Sequence, residues 1–153
     1  MLDPPVAFHA IAAAGDGAIE GVDAMRGTLT RVELAQPEIV DALDITAAEP
    51  IVGLAGGTSA AELLALGEVG IRVIDPETES LGTSVPLTVV LDGPHTLTPS
   101  PVSDGVTTCD SQGALWSIDP VTGEVGEVVH GFGESCNGLA APRAPIACVD
   151  VLR

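Results

Sequence analysis

This chain of 153 residues contains no lysine and no tyrosine, and only 2% of its residues are aromatic. All five basic residues are therefore arginines, and 22 acidic residues bring the formal net charge to −17 at pH 7. Such a surface repels phosphate, which excludes ordinary nucleic-acid binding and binding to anionic membranes. Because 46% of the residues are hydrophobic, the core must be built from Val, Leu, Ile and Ala.

The signatures of common catalytic and metal sites are also missing. There is no G-x-S-x-G nucleophile motif, no lysine for a phosphate loop and no D-x-[DN]-x-[DN]-G calcium loop. The three histidines, His9, His95 and His130, are far apart and have no partner at i+4 for a zinc site. No catalytic residue and no metal ligand is therefore assigned. Calcium stays the one candidate cofactor, because acidic loops suit hard cations.

No apolar run reaches the roughly 18 residues of a membrane helix, which predicts that the chain has no membrane span. The start, Met1-Leu2-Asp3-Pro4-Pro5, lacks the basic region of a signal peptide. The chain is therefore expected to be cytosolic, or to be a piece whose signal lies upstream.

Three cysteines occur, Cys109, Cys136 and Cys148, and their spacing fits no metal site. Cys136 and Cys148 flank a predicted hairpin with its turn near Pro142-Arg143, so they are expected opposite each other and able to form a disulfide. Cys109 with Cys136 is the rival pairing, and buried free thiols are the third possibility. A disulfide, the acidity and the lack of lysine together favour an extracytoplasmic or secreted protein over a cytosolic one.

The 18 glycines and 12 prolines suit many short strands joined by turns. The clearest example is residues 113–125, which predict a strand, a tight turn and a second strand. Pro120 sets φ for the turn, Gly123 accepts φ > 0, and Asp119 bonds the backbone ahead of it. Asp119 is therefore interpreted as a turn-former.

Two weaker copies of this hairpin lie upstream, at residues 17–29 and 69–81, and align with it without a gap. The turn aspartates are Asp23, Asp75 and Asp119, separated by 52 and then 44 residues. The apolar columns coincide: Ile19, Ile71 and Leu115; Val22, Ile74 and Ile118; Leu29, Leu81 and Val125. The alignment predicts that the three aspartates occupy equivalent turns in successive sheets.

Each unit is expected to hold at least three strands, with a fourth from a Gly-Leu-Ala segment such as residues 51–55. Residues 59–66 contain good helix formers, so a helix is the alternative there, but strand is preferred because the window matches the β-prone residues 106–109. Residues 96–103, with two prolines, are expected to form an irregular loop. Residues 36–50 are expected to be an insertion that explains the 52-residue spacing.

The hairpin Leu115-Trp116-Ser117-Ile118-Asp119-Pro120-Val121-Thr122-Gly123-Glu124-Val125, followed by Asn137-Gly138-Leu139-Ala140, resembles blades of the YncE, NHL and SMP-30-like β-propeller group. The resemblance implies an all-β fold, a partial β-propeller of repeated four-stranded antiparallel blades. Residues 1–153 would form a single propeller-like domain. Its approximate blades are 6–50, 51–92 and 93–132, with a half-blade at 136–153.

Three blades and a half do not close a ring alone. A fragment of a longer protein is therefore favoured over copies that self-associate to close the ring.

The resemblance places Gly-Leu-Ala strands around the central channel and implies no single activity. Glu134 and Asn137 precede such a strand, which puts them at a channel mouth near Asp110, and these three are the candidate ligand-binding residues. A plain turn is the competing role for Asn137. The expected function is a non-enzymatic binding or scaffold module for a protein or small molecule. A divalent-cation-dependent hydrolase of the lactonase-like propeller type is the alternative, and a truncated product without its own function is the third.

Overall fold

The computed structural model of the chain describes residues 7–13, 17–35, 38–46, 48–57, 62–100 and 103–129. The regular secondary structure of these residues is entirely β, with no helix among them. Their strands form three antiparallel sheets, which we number I, II and III in chain order. The predicted all-β class is confirmed.

Each sheet is an antiparallel meander four strand positions wide. Sheet I has the order β1-β2-β3-β4, formed by Phe8–Ala13, Ala18–Asp23, Thr28–Glu33 and Glu38–Asp44. Sheet II consists of β5, β6, β7, β8 and β9, formed by Ile51–Gly56, Leu63–Gly67, Gly70–Asp75, Ser80–Leu81 and Val85–Pro86. Its fourth position is shared by β8 and β9, which both pair with β7. Sheet III has the order β10-β11-β12-β13, formed by His95–Pro99, Val106–Cys109, Leu115–Ile118 and Val125–Val129.

The sheets stack face to face, with sheet II in the middle. One face of sheet II packs on sheet I in a cluster that includes Val22, Leu29, Leu54, Leu63 and Ile74. Its other face packs on sheet III in a cluster that includes Leu64, Leu66, Ile71, Val106 and Ile118. Both clusters are almost wholly aliphatic, as the shortage of aromatic residues requires.

The central position of β6 explains its helix-like sequence. All five residues of Leu63–Gly67 are buried, because the strand is covered on both faces. A strand covered on both faces carries a continuous apolar run without alternation, and such a run is hard to distinguish from a buried helix. The strand interpretation is confirmed for residues 63–67, and the helical alternative is wrong there.

The first strands of the three sheets, β1, β5 and β10, lie next to one another. The Nε2 atom of His9 on β1 lies 2.6 Å from the carbonyl oxygen of Ile51 on β5, where the ring N–H donates a hydrogen bond. On the other side, Gly53 of β5 packs directly on the backbone of Thr96 on β10. This convergence of first strands is the arrangement of β-propeller blades around a central axis.

The hairpin repeat is reproduced residue by residue in the strand register. The residue before each turn aspartate pairs across the hairpin with the same apolar column in all three sheets: Val22 with Leu29, Ile74 with Leu81, and Ile118 with Val125. The gapless alignment of these hairpins is therefore confirmed at the level of local structure.

The place of the first hairpin within its sheet differs from the prediction. Asp23 lies on the turn between the second and third strands of sheet I, whereas Asp75 and Asp119 follow the third strands of sheets II and III. The expectation of equivalent positions is correct for Asp75 and Asp119 and wrong for Asp23. The first strands begin at Phe8, Ile51 and His95, which are 43 and 44 residues apart. The 52-residue spacing of the first two aspartates thus reflects an offset of one strand and its turn.

The sequence predicts an insertion at residues 36–50 and an irregular loop at residues 96–103, but each of them contains a strand. Residues 38–44, inside the expected insertion, form β4 and pair with β3 along the whole of its length. Residues 95–99 form β10, so the loop expected at 96–103 is wrong for its first half. Pro99 is tolerated because β10 is an edge strand of sheet III, and the strand pairing is irregular between His95 and Thr98.

The sheets span residues 8–44, 51–86 and 95–129. The blade boundaries at 6–50, 51–92 and 93–132 stay predictions. The half-blade predicted at residues 136–153 lies outside the described residues.

Gly53 packs directly on the backbone of Thr96 in β10, and we predict that Gly53→Ala destabilises the fold. A Cβ there would lie 2.9 Å from the carbonyl carbon and oxygen of Thr96, which are backbone atoms and cannot turn aside. Overpacking of this kind costs about 1–3 kcal/mol of unfolding free energy. Urea denaturation measures this loss of unfolding free energy. Gly56→Ala on the same strand is the matched control, since a Cβ there meets nothing within 4 Å. Equal midpoints for the two variants would contradict the prediction.

Glu79 is the left-handed residue of the second hairpin, with φ of 53°, whereas the corresponding residues Gly27 and Gly123 are glycines. A non-glycine residue pays about 1–2 kcal/mol in this region, and glycine loses about 0.5–1 kcal/mol through unfolded-state entropy. Glu79→Gly should therefore raise the unfolding free energy by about 0.5–1 kcal/mol.

Thermal and urea unfolding of the Glu79→Gly variant measure this gain. Glu77→Gly, in the same turn but without positive φ, is the control and should lower stability. The assignment of strain to Glu79 fails when both variants shift stability in the same direction.

Candidate binding surface

The third hairpin is held by the carboxylate of Asp119. Its Oδ1 accepts hydrogen bonds from the backbone N–H groups of Val121 at 2.8 Å and Thr122 at 3.2 Å. The N–H of Gly123 donates to the Asp119 carbonyl at 2.8 Å and closes the turn. The interpretation of Asp119 as a turn-former is confirmed.

Asp75 and Asp23 make the same two bonds in their own hairpins. Asp75 Oδ1 accepts from the N–H groups two and three residues ahead at 3.0 and 3.2 Å. Asp23 Oδ1 does so at 3.0 and 3.2 Å. One local motif therefore places three carboxylates in three different surroundings.

The surroundings decide how each carboxylate is compensated. Asp23 is only 2% exposed, and its Oδ2 pairs with the Arg26 guanidinium at 3.3 Å. Asp119 is exposed, and the residue three positions ahead of it is Thr122, which brings no positive charge. The backbone N–H of Val121, with Thr122, holds the pKa of Asp119 below its usual range, so this carboxylate stays ionised at pH 7.

The other hairpin and turn carboxylates follow the same chemistry. The side chain and backbone of Thr78 lower the pKa of Asp75, and the backbone N–H of Thr46 lowers the pKa of Asp44. In each case a hydrogen bond to the ionised form favours that form. These shifts have a structural cause and do not identify catalytic groups.

A groove of about 420 Å³ lies beside the third hairpin, between the turn at residues 103–105 and the strands β12 and β13. Its lining combines carboxylates, hydroxyls, an apolar part and two glycines: Ser103, Asp104, Gly105, Ser117, Ile118, Asp119, Pro120, Val121, Glu124 and Gly126. None of these described lining residues is basic. A Cβ at Gly105 would lie 2.5 Å from the carbonyl oxygen of Ile118, so the absence of a side chain there lets the turn pack directly on β12.

Exposed valines lie at the same hairpin. Val121 is 81% exposed and Val90 is 82% exposed, with Val89 beside it. The segment that carries Val89 and Val90 is fixed to the hairpin through Thr88, whose N–H donates to the Gly123 carbonyl at 2.9 Å. We call Val89, Val90 and Val121 the valine rim. Val121 lines the groove, and an exposed apolar side chain at a groove is typical of interaction surfaces.

Asp110, one of the predicted ligand-binding residues, is 4% exposed and lies in the turn after β11. Its Oδ1 accepts from the N–H groups of Gln112 and Ala114, each at 2.9 Å, and its Oδ2 accepts from the Trp116 indole N–H at 2.8 Å. The carboxylate therefore supports the turn and orients the tryptophan. A ligand role for Asp110 stays a prediction, and Glu134 and Asn137 lie outside the described residues.

Further ion pairs hold the sheets internally. Glu20, 2% exposed, pairs with Arg31 across sheet I at 3.0 Å. Glu49 accepts a hydrogen bond from Ser84 at 2.9 Å and lies 3.8 Å from Arg72. The described part of the chain contains no group of three His, Cys, Asp or Glu side chains placed to hold a metal ion. No helix in that part is long and apolar enough to cross a membrane.

Cys109, on β11, is fully buried and disulfide-bonded. The other two cysteines of the chain are Cys136 and Cys148, and both lie outside the described residues. Because Cys109 is disulfide-bonded, the rival Cys109–Cys136 pairing is favoured over a bond between Cys136 and Cys148. The Cys136–Cys148 disulfide stays a prediction.

Comparison with known proteins supports the architecture. No family model and no curated protein matches the chain. Among solved structures, a Kuenenia stuttgartiensis hydrazine synthase matches with a TM-score of 0.61 and 12% identity over 86% of this chain and 38% of that chain. A Myxococcus xanthus glutaminyl cyclase matches at 0.62 and 16% over 76% of this chain and 49% of that chain. The WD40 β-propeller domain of Doa1 matches at 0.62 and 8% over 86% and 43%.

These similarities, together with the three meander sheets, define the class of the protein: an all-β chain with the fold of a partial β-propeller of four-stranded antiparallel blades. The chain spans between 38% and 49% of the length of these solved chains. Similarity at these identities establishes the fold alone.

The groove could not be identified from the sequence. Asp104-Gly105 is visible as a turn dipeptide and Glu124 as a residue of the hairpin, but nothing in the sequence indicates that the two face each other. Only the pairing of β11 with β12 brings the turn at residues 103–105 beside the hairpin.

The disulfide at Cys109 predicts the thiol content of the chain. Labelling under denaturing conditions without reductant should detect one free thiol per 153-residue chain, since one disulfide uses two of three cysteines. Peptide mapping by mass spectrometry should find Cys109 linked to the peptide of Cys136 or of Cys148. A Cys136–Cys148 linkage with Cys109 free would show that the predicted hairpin disulfide is correct and that this prediction is wrong.

Proposed function

We propose that this chain is a non-enzymatic binding or scaffold module of β-propeller type. The observation that carries the proposal is the contrast between buried and exposed carboxylates. The buried Glu20, Asp23 and Asp110 bond to arginines, backbone amides or the tryptophan of the chain itself. The exposed Asp104, Asp119 and Glu124 instead line a groove together with the exposed Val121. Chemistry directed outward, next to apolar surface, suits the recognition of a partner.

The alternative is a divalent-cation-dependent hydrolase of the lactonase-like propeller type. Such a site needs several oxygen ligands that converge on one ion. The described residues offer no group of three candidate ligands, so no particular residue favours this alternative. We propose kinship with the YncE, NHL and SMP-30-like group, and the basis of this proposal is the Asp-Pro-x-Thr-Gly hairpin that ends in Gly123.

We also infer an extracytoplasmic location and a larger ring. The Cys109 disulfide suits an oxidising compartment. Solved propellers similar to this chain are more than twice as long as the part it matches, so we infer that further sheets complete the ring. A longer chain or a second copy would supply them.

Display of random peptides against the immobilised chain tests the binding function. Wild type should enrich peptides that Val121→Glu does not retain, because that substitution puts a charge on a valine that is 81% exposed without disturbing the core. Met25→Glu is the matched control, since Met25 is 91% exposed on another hairpin.

The opposing outcome is catalysis. Lactone and ester substrates are assayed with Ca²⁺, Mn²⁺ or Zn²⁺ and again with EDTA. Turnover that needs the ion, or a Tm that rises with calcium, would contradict the proposal and support the hydrolase. Failure of the display to enrich any peptide or protein would also contradict it.

A further inference from the structure

We propose that residues 136–151 begin a fourth sheet on the open face of sheet III, and that a disulfide between Cys109 and Cys136 fastens them there. The open face is the side of sheet III that points away from sheet II. The inference goes beyond the proposed binding function and does not depend on it, because it concerns which part of the chain continues the ring.

The side chain of Cys109 points to the open face. Val106 and Ile118 pair across β11 and β12, and both pack on sheet II. Because side chains alternate along a strand, Cys109, three residues after Val106, lies on the opposite side of the sheet, as does Thr107. The disulfide of Cys109 therefore leaves sheet III on the face that no described sheet covers.

The inner half of the open face is buried, although its side chains are small. Thr98 on β10 and Thr107 on β11 pair directly and are each 9% exposed, and Cys109 is 0% exposed. All four residues of β11 are buried, as in β6, which has a sheet on each side. The outer half differs, since Ser117 on β12 is half-buried and Gly126 on β13 is exposed. A cover two strands wide accounts for this difference.

The chain itself supplies a cover of that width, because a two-stranded hairpin is predicted after β13. Val129, Leu115 and Cys109 lie on one row across sheet III, since each pairs with the next. Two strand spacings put Cys109 about 10 Å from Val129. The seven further residues that lead to Cys136 can span about 23 Å, so the chain is long enough to cross this row and reach Cys109.

The repeat places Cys136 at the level of Cys109. The Gly-Leu-Ala of β5 recurs 85 residues later, and the same step leads from Ile51 to Cys136. Ile51 is the first residue of β5, and its counterpart in sheet III is His95, the first residue of β10. His95 pairs directly with Cys109. Cys136 is therefore expected beside the end of β11 where Cys109 lies.

The same repeat places Cys148 at the other end of the sheet. The second strands of sheets II and III begin at Leu63 and Val106, which are 43 residues apart. An equal step leads to residue 149, so Cys148 would precede the second strand of the next sheet. Cys109 ends β11, about 10 Å along the strand from its start. That separation exceeds the roughly 4.4–6.8 Å between the Cα atoms of a disulfide.

Disulfide mapping of the wild-type chain is the first test and needs no variant. Digestion with trypsin and endoproteinase Asp-N separates the three cysteines, because Asp110, Asp119 and Arg143 lie between them. Cys109 should be linked to Cys136, with Cys148 free. When ¹⁵N-labelled and unlabelled chains are oxidised together, no link should join a labelled peptide to an unlabelled one.

A bond from Cys148 to either other cysteine overturns the inference. A bond between chains also overturns it, because it assigns the open face to a second copy.

Hydrogen exchange followed by mass spectrometry tests the cover itself. Residues 137–151 should be protected in the oxidised wild type, and Cys136→Ser should speed their exchange by roughly a hundredfold. Cys136→Ser should also lower the Tm by roughly 10 °C, as loss of a native disulfide does. Cys148→Ser is the matched control and should change neither quantity. Equal effects of the two variants, or exchange of residues 137–151 as fast as in an unstructured peptide, overturn the inference.

A pair of charge substitutions locates the cover on the open face. Thr107→Asp puts a carboxylate under the proposed cover and should speed exchange of residues 137–151, whereas Gly126→Asp, on the exposed outer half, should not. The reverse order contradicts the placement. The peptide display with Val121→Glu is a separate measurement, so the binding function and this inference can each fail alone.

Discussion

The fold depends on the burial of sheet II on both of its faces. Leu66, Ile71 and Ile74 are completely inaccessible to solvent, and they divide between the two interfaces with sheets III and I. Burial of each such side chain contributes about 1.5–3 kcal/mol relative to its exposed state. Since aromatic residues are almost absent, the contacts depend on close approach of aliphatic side chains and, at Gly53, of backbone. The positions of the first strands follow from this packing.

The turn aspartates show how one local solution acquires different consequences. Each carboxylate accepts two backbone N–H groups, which is a contact within four residues and independent of the rest of the molecule. What surrounds the second oxygen depends partly on the residue three positions ahead, which is Arg26 in the first hairpin and Thr122 in the third, and partly on burial, which tertiary packing decides. Asp23 is covered and paired with Arg26, whereas Asp119 opens onto a groove. The candidate function is therefore assigned to the surroundings of Asp119, and not to the turn motif that the three aspartates share.

Shared architecture gives little information about activity here. The solved structures that resemble the chain are described as a hydrazine synthase, a glutaminyl cyclase and a WD40 domain, which are different in kind. Propellers carry unrelated functions because the blades supply a frame and the loops and rims supply the chemistry. The groove and valine rim are thus better guides than the overall similarity, because they consist of side chains specific to this chain.

Local chemistry was accessible from the sequence alone. The β class, the three hairpins, their apolar register and the role of Asp119 depend on neighbours in the chain, where alternation and turn residues act directly. The order of strands across a sheet does not depend on neighbours in the chain. Contacts between segments that are distant in the sequence decide several further features. These are the offset of Asp23, the strands β4 and β10, and the burial of Asp110 beside Trp116. The groove belongs to that second group, because residues 103–105 lie beside the third hairpin only once β11 pairs with β12.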